Sequence, residues 1–103
     1  MRRGQVWWHE PPDEKPGSVL VLTRDDVIAR ALDVVAMRAS RTAHDWLTEV
    51  EVGPEGGMPT RSLLIAENTL SAEKIYLAQR ITELNAAKMN AVCRTLATAT
   101  SCG

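Results

Sequence analysis

The sequence predicts a mainly β fold closed by a single C-terminal helix. Short β-prone runs recur between proline- and glycine-rich turns over residues 5–84. Residues 18–23 (SVLVLT) are apolar almost throughout, as in a strand buried on both faces. After Asn85 the apolar spacing changes from the period of a strand to that of a helix. Strands first and one helix last imply a mostly antiparallel, strongly curved sheet or small barrel capped by that helix.

Taken in order, residues 5–8 (QVWW) form a first short strand that ends at the loop 10–17 (EPPDEKPG), where three prolines and a glycine remove ladder donors. The SVLVLT strand follows. Asp25 or Asp26 then caps a short helical turn running to Leu32. Residues 34–37 (VVAM) read as a third strand, and the alternation over residues 46–52 as a half-exposed fourth. Residues 53–59 (GPEGGMP) are turn chemistry leading to a fifth strand over 62–65. Residues 71–74 suit one helical turn, and residues 75–84 a sixth strand. From the Asn85 cap onward, Met89, Val92, Cys93, Leu96 and Ala97 share one helical face. Strands with apolar residues on both faces suggest that a second surface is covered by a partner, most simply another copy.

The 103 residues form one domain, 1–103, with an ordinary apolar content of 45% and 24% charged residues. These values exclude a disordered chain and a disulfide scaffold. No apolar run approaches the length of a membrane span, and no apolar segment follows the N-terminal arginines, so a cytoplasmic protein is expected. Cys93 and Cys102 lack the spacing or histidine partners of a zinc site; Cys93 is expected to be half-buried and Cys102 exposed. The net charge of −1 argues against a broadly basic nucleic-acid binder. A groove needs only local cations, however, and Lys15, Arg24, Arg38, Arg41 and Arg80 can supply them.

Residues 3–7 (RGQVW) look like the opening of the MazF/PemK-like toxins, the mRNA interferases of type II toxin–antitoxin systems. Residues 19–25 (VLVLTRD) are similar to that family's second strand and its exit, and residues 48–59 (TEVEVGPEGGMP) to its "TEVEV…GMP" segment. Glu67-Asn68-Thr69 and Arg80-Ile81 fall where members show "DN" and "RRIG", and the Asn85-capped helix corresponds to the terminal helix. The matches lie in the family's order over nearly the whole chain. The resemblance implies an SH3-like curved β-barrel, a homodimer, and sequence-selective cleavage of single-stranded RNA without metal or cofactor. It also implies inhibition by a cognate MazE-like antitoxin lying over the dimer groove.

Metal-free cleavage requires attack of a ribose 2'-OH on the adjacent phosphorus, a proton for the leaving 5'-oxygen, and positive charge at the phosphorane. The products are a 2',3'-cyclic phosphate and a 5'-hydroxyl. In the family this work is associated with an Arg-Pro pair before the second strand and a Pro-Ile-Thr segment after the third. Those positions fall on Gly17-Ser18 and on Arg38-Ala39-Ser40. The hydroxyl survives as Ser40; the arginine does not. Lys15, Arg38 and Arg41 are therefore the expected substitute charges, completing a catalytic set with Ser40. The other reading is a catalytically degenerate dimer that only binds antitoxin and acts in regulation. Arg24, Arg80, Asn68 and His44 are candidate RNA-binding residues. His9 and His44 both lie where a histidine pair would serve acid–base chemistry, although the family does not rely on histidine there. Trp7 and Trp8, adjacent in a strand, face opposite ways: one belongs to the core, the other to a dimer core or a base-stacking platform.

Overall fold

A computed structural model describes residues 1–42 and 47–101. Six strands, β1 (Gln5–His9), β2 (Gly17–Val21), β3 (Asp33–Ser40), β4 (Glu49–Val52), β5 (Ser62–Glu73) and β6 (Leu77–Glu83), form one sheet in the order β4-β5-β3-β2-β1-β6. Every neighbouring pair is antiparallel. A four-residue helix α1 (Asp25–Ile28) follows β2, and the chain ends in α2 (Ala86–Thr100).

The sheet curls because β5 serves two partners. Its first residues pair with β4 and with Ala39 and Ser40 of β3; its later ones pair with Asp33 to Met37. Between these stretches Met37 faces Thr69 while Ala39 faces Leu64, so residues 65–68 form an irregularity at which the strand bends. The outer strands are thereby brought together. Thr82 Oγ1 on β6 donates to the Gly56 carbonyl (2.8 Å) in the 3-10 turn that follows β4. Gly57 has φ +87°, and a Cβ there would collide with the Thr82 side chain, so glycine is required at this closure.

The SVLVLT run is buried on both faces, as its composition predicts, because the sheet carries a cluster on each side. Val6, Leu20, Met37, Leu64 and Val52 pack with Met89 and Val92 of α2 on one side. Val19, Val21, Val34, Ala36 and Ala72 pack with Ile28 of α1 and Leu77 on the other, with Trp7 against them. The second apolar face, expected to need a partner, is thus largely covered by the chain itself; Leu32, Val35 and Ile75 remain exposed.

Several boundaries differ from the sequence reading. Residues 71–73 are not helical: they complete β5, where Asp33 pairs with Glu73, and the Lys74 amide donates to Leu32 O (2.9 Å). The 3-10 turn falls instead on Lys74–Tyr76, so β6 starts at Leu77. Strand pairing outweighs local helix preference here. Arg24, not an aspartate, holds the N-cap position of α1, without a side-chain cap bond, and the helix stops at Ile28. Asp25 Oδ1 accepts from the Arg3 amide (2.7 Å) instead. β4 begins at Glu49, and Trp46 lies outside the described residues. Asn85 caps α2 as expected, its side chain accepting from the Lys88 amide (2.9 Å). Cys93 is exposed rather than half-buried: it lies just off the stripe set by Met89 and Val92, and an Arg3 guanidinium N–H reaches its Sγ (3.3 Å). Cys102 is outside the described residues.

Candidate functional site

The long loop after β1 returns the chain to β2 at Gly17, which pairs with His9, while β2 aligns Val19 with Arg38 of β3. This register sets Lys15, Arg38, Ser40 and Arg41 around one groove of about 570 Å³. Its opposite wall is Trp8, Ile81 and the Met58-Pro59-Thr60 turn. The described lining carries three cations and the hydroxyls of Ser18, Ser40, Thr60 and Ser62, and no carboxylate. Such a surface suits an anion with several oxygen acceptors.

Arg38 is the best-held of the cations. Its Nη2 donates to the carbonyls of Lys15 (2.8 Å) and Pro16 (3.4 Å). It also lies against Gly17: a Cβ on residue 17 would sit 2.8 Å from Arg38 Nη2 and 3.1 Å from Cζ. The guanidinium therefore fills the space into which a side chain from position 17 would grow. Ser40 Oγ accepts from the Thr42 amide (3.1 Å), which leaves the hydroxyl proton available for donation into the groove.

The remaining candidates are dispersed. Arg80 lines a neighbouring pocket that shares Trp8, Pro59 and Ile81 with the groove. Arg24 lies at the start of α1, ion-paired with Asp26 (3.1 Å), and is not part of the groove lining. Asn68 is exposed at the β5 bend and lines neither pocket. His44 lies outside the described residues. His9 is buried and opens onto a separate cavity of about 170 Å³ with Asp13, Glu14, Glu73 and Tyr76. Burial holds its pKa below 6.5; Glu14 opposes this and Arg38 adds to it. Its Nδ1 has no hydrogen-bond partner among the described residues. Among the described residues no group of His, Cys, Asp or Glu is arranged to hold a metal ion.

The sequence reading missed the groove's second wall. Residues 53–59 are legible as a turn, but nothing local shows that Met58 and Pro59 come to face Ser40. Of the two adjacent tryptophans, Trp7 is the core one, packing on the α1-side cluster with its Nε1 donating to Gln5 Oε1 (3.0 Å), and Trp8 faces the groove.

Comparison with known proteins bears directly on this arrangement. The family described as "PemK-like, MazF-like toxin of type II toxin-antitoxin system" matches residues 2–100. The chain belongs to this family. Among relatives of this MazF-like chain, "Probable endoribonuclease MazF2" of Mycobacterium tuberculosis is 34% identical over 104 residues, covering 99% of this chain and all of that one. "Probable endoribonuclease MazF5" of the same organism is 30% identical, covering 97% of this chain and 93% of that protein. The solved structure "Endoribonuclease in complex with its cognate antitoxin from Mycobacterial species" superposes with a TM-score of 0.89 at 26% identity, covering 100% and 97% of the two chains. The mainly β, six-stranded, helix-capped architecture is the MazF fold. No helix among the described residues is long and apolar enough to cross a membrane.

Proposed function

We propose that this MazF-like protein, one toxin domain over residues 1–103, is a metal-independent endoribonuclease that cuts single-stranded RNA in the Ser40 groove. It acts in the cytoplasm as a homodimer neutralised by a cognate MazE-like antitoxin. The observation that carries the reading is the convergence of Lys15, Arg38 and Arg41 on Ser40 in a groove whose described lining holds no carboxylate. Family membership and the relatives named as endoribonucleases support it. The exposed Leu32, Val35 and Ile75 offer apolar surface for a second copy.

Each groove residue has a chemical task. Arg38, anchored by two carbonyls, meets the non-bridging phosphate oxygens with a preorganised guanidinium that needs no reorientation during reaction. Lys15 and Arg41 add positive charge from the rim. The ribose 2'-oxygen bonds to phosphorus and its proton passes to water in the open groove. The bond from phosphorus to the 5'-oxygen breaks, and Ser40 donates its hydroxyl proton to that oxygen, regaining one from water. A cyclic phosphate and a 5'-hydroxyl result.

The test is incubation of purified, folded protein with long single-stranded RNA in EDTA, followed by mapping of the new ends. Cleavage leaving 2',3'-cyclic phosphate and 5'-hydroxyl ends is expected. Intact RNA at high protein concentration overturns the enzyme assignment, and cleavage abolished by EDTA overturns the metal-free route.

A further inference from the structure

Beside the Ser40 groove lies a second pocket of about 480 Å³ that shares its Trp8, Pro59 and Ile81 wall and is completed by Glu10, Gln79 and Arg80. Its chemistry differs from that of the groove. Trp8 Nε1 donates to Glu10 Oε1 (2.7 Å), which fixes the indole and engages its only donor, leaving the ring as a flat apolar shelf. Glu10 is exposed, and its second carboxylate oxygen has no protein partner among the described residues. Gln79, opposite Trp8 across the β1–β6 pair, brings an amide to the same pocket. A carboxylate repels phosphate, so this pocket is not a continuation of the anion groove. An aromatic shelf beside a hydrogen-bond acceptor, with one arginine, fits a nucleobase whose connecting phosphate meets Arg80.

We propose that this pocket holds the base of a nucleotide flanking the scissile phosphate, stacked on Trp8. The base read there carries an exocyclic amine, because the Glu10 carboxylate is an acceptor only. Adenine, cytosine and guanine each present such an amine, whereas uracil has only a ring N3–H set between two carbonyl oxygens, which the carboxylate would meet whenever it reached for that donor. The inference rests on the endoribonuclease reading and deepens it: the shared wall couples a sequence-blind phosphate site to a base-selective one. Rejecting uracil by placing an acceptor against its carbonyls is discrimination by repulsion as well as by attraction.

The experiment uses oligoribonucleotides containing one mapped cleavage site. Each flanking nucleotide is replaced in turn by an abasic residue or by uridine, and kcat/KM is measured for wild type, Trp8→Leu and Glu10→Gln. At one flanking position the abasic residue is expected to lower wild-type kcat/KM about ten-fold or more, the scale of one base–aromatic stack. Trp8→Leu should be indifferent to that replacement, and Glu10→Gln should accept uridine there. If Trp8→Leu, folded by its melting temperature, loses as much from the abasic residue as wild type does, the pocket is not the base site. Unchanged rejection of uridine by Glu10→Gln overturns the edge reading even where Trp8→Leu fails to fold. Wild type that cuts with no abasic-sensitive flank also overturns the inference. Failure of wild type to cut any RNA ends the endoribonuclease reading itself, a distinguishable result.

Discussion

Arg38 lies against Gly17, and each residue accounts for the other. A Cβ on residue 17 would approach Arg38 Nη2 to 2.8 Å, so the guanidinium holds its bonds to Lys15 O and Pro16 O only because position 17 has no side chain. In the proposed reading, Arg38 supplies from β3, across the strand pair, the positive charge that the family resemblance places at position 17, before the second strand. Gly17→Ala tests the relationship. The neighbouring atoms belong to the far end of a flexible side chain, so the guanidinium swings away at little cost to stability. Cleavage should fall about ten-fold or more as the preorganised charge is lost, with the melting temperature nearly unchanged. Full activity in Gly17→Ala would show that the Arg38 position is immaterial.

Direct truncations should be more severe. Arg38→Ala removes the anchored guanidinium, and loss of one such stabilising group costs on the order of a hundred-fold in kcat. Ser40→Ala removes the proton donor, with a loss of about a hundred-fold, together with the acceptor of the Thr42 amide bond. Because Arg38 is half-exposed and its bonds run to a surface loop, both melting temperatures should stay close to wild type. Arg38→Lys is the informative intermediate: it keeps the charge and loses the planar fork that two carbonyls hold, so it should recover only part of the rate. Wild-type rates in both alanine variants would move the reaction out of this groove.

Much of the fold was legible because its signals are local. The two-faced burial of SVLVLT follows from its unbroken apolar run, and the α2 cap from Asn85. What was hidden depends on register. The sequence contains a vacant arginine position at Gly17 and an extra arginine at Arg38, yet only the β2–β3 pairing shows that they meet. β5 extends eight residues beyond the short strand its apolar core suggests, because residues 69–73 carry no strong strand pattern of their own and are recruited by pairing with β3 beyond the bend. The helical turn expected over residues 71–74 failed for the same reason. Arg24, expected to bind RNA, pairs locally with Asp26, and only tertiary placement shows that it lies outside the groove.

That placement yields a binding prediction. Single-stranded RNA affinity should fall with salt, with a log–log slope of about −0.7 for each phosphate neutralised. Lys15→Gln should flatten the slope by about one such increment and weaken binding similarly across sequences, since a phosphate contact carries no base information. Arg24→Gln should leave slope and affinity unchanged. A filter-binding series from low to moderate salt, on variants whose cleavage is slowed about a hundred-fold by Ser40→Ala, decides between them. An equal effect from Arg24→Gln would place the RNA track across α1 instead.

The last prediction concerns His9. Burial lowers its pKa below 6.5, against the pull of Glu14 and with the help of Arg38; Asp13, Glu73 and Tyr76 also border its cavity. A base with a depressed folded pKa binds fewer protons folded than unfolded between that value and 6.5. Its contribution is therefore neutral above about pH 7, and stability falls as pH drops through 6.5 toward the folded pKa. His9→Phe removes the titrating group and also the Nδ1 that has no partner among the described residues, while keeping a planar ring against β2 and β6. Its melting temperature should match or exceed wild type at about pH 8, and the advantage should grow on acidification to about pH 5. Comparing the two proteins at each pH cancels the carboxylates they share. A difference that stays constant with pH, or shrinks toward acid, would mean that His9 takes up its proton without penalty in the folded state. The Glu14 attraction would then outweigh burial.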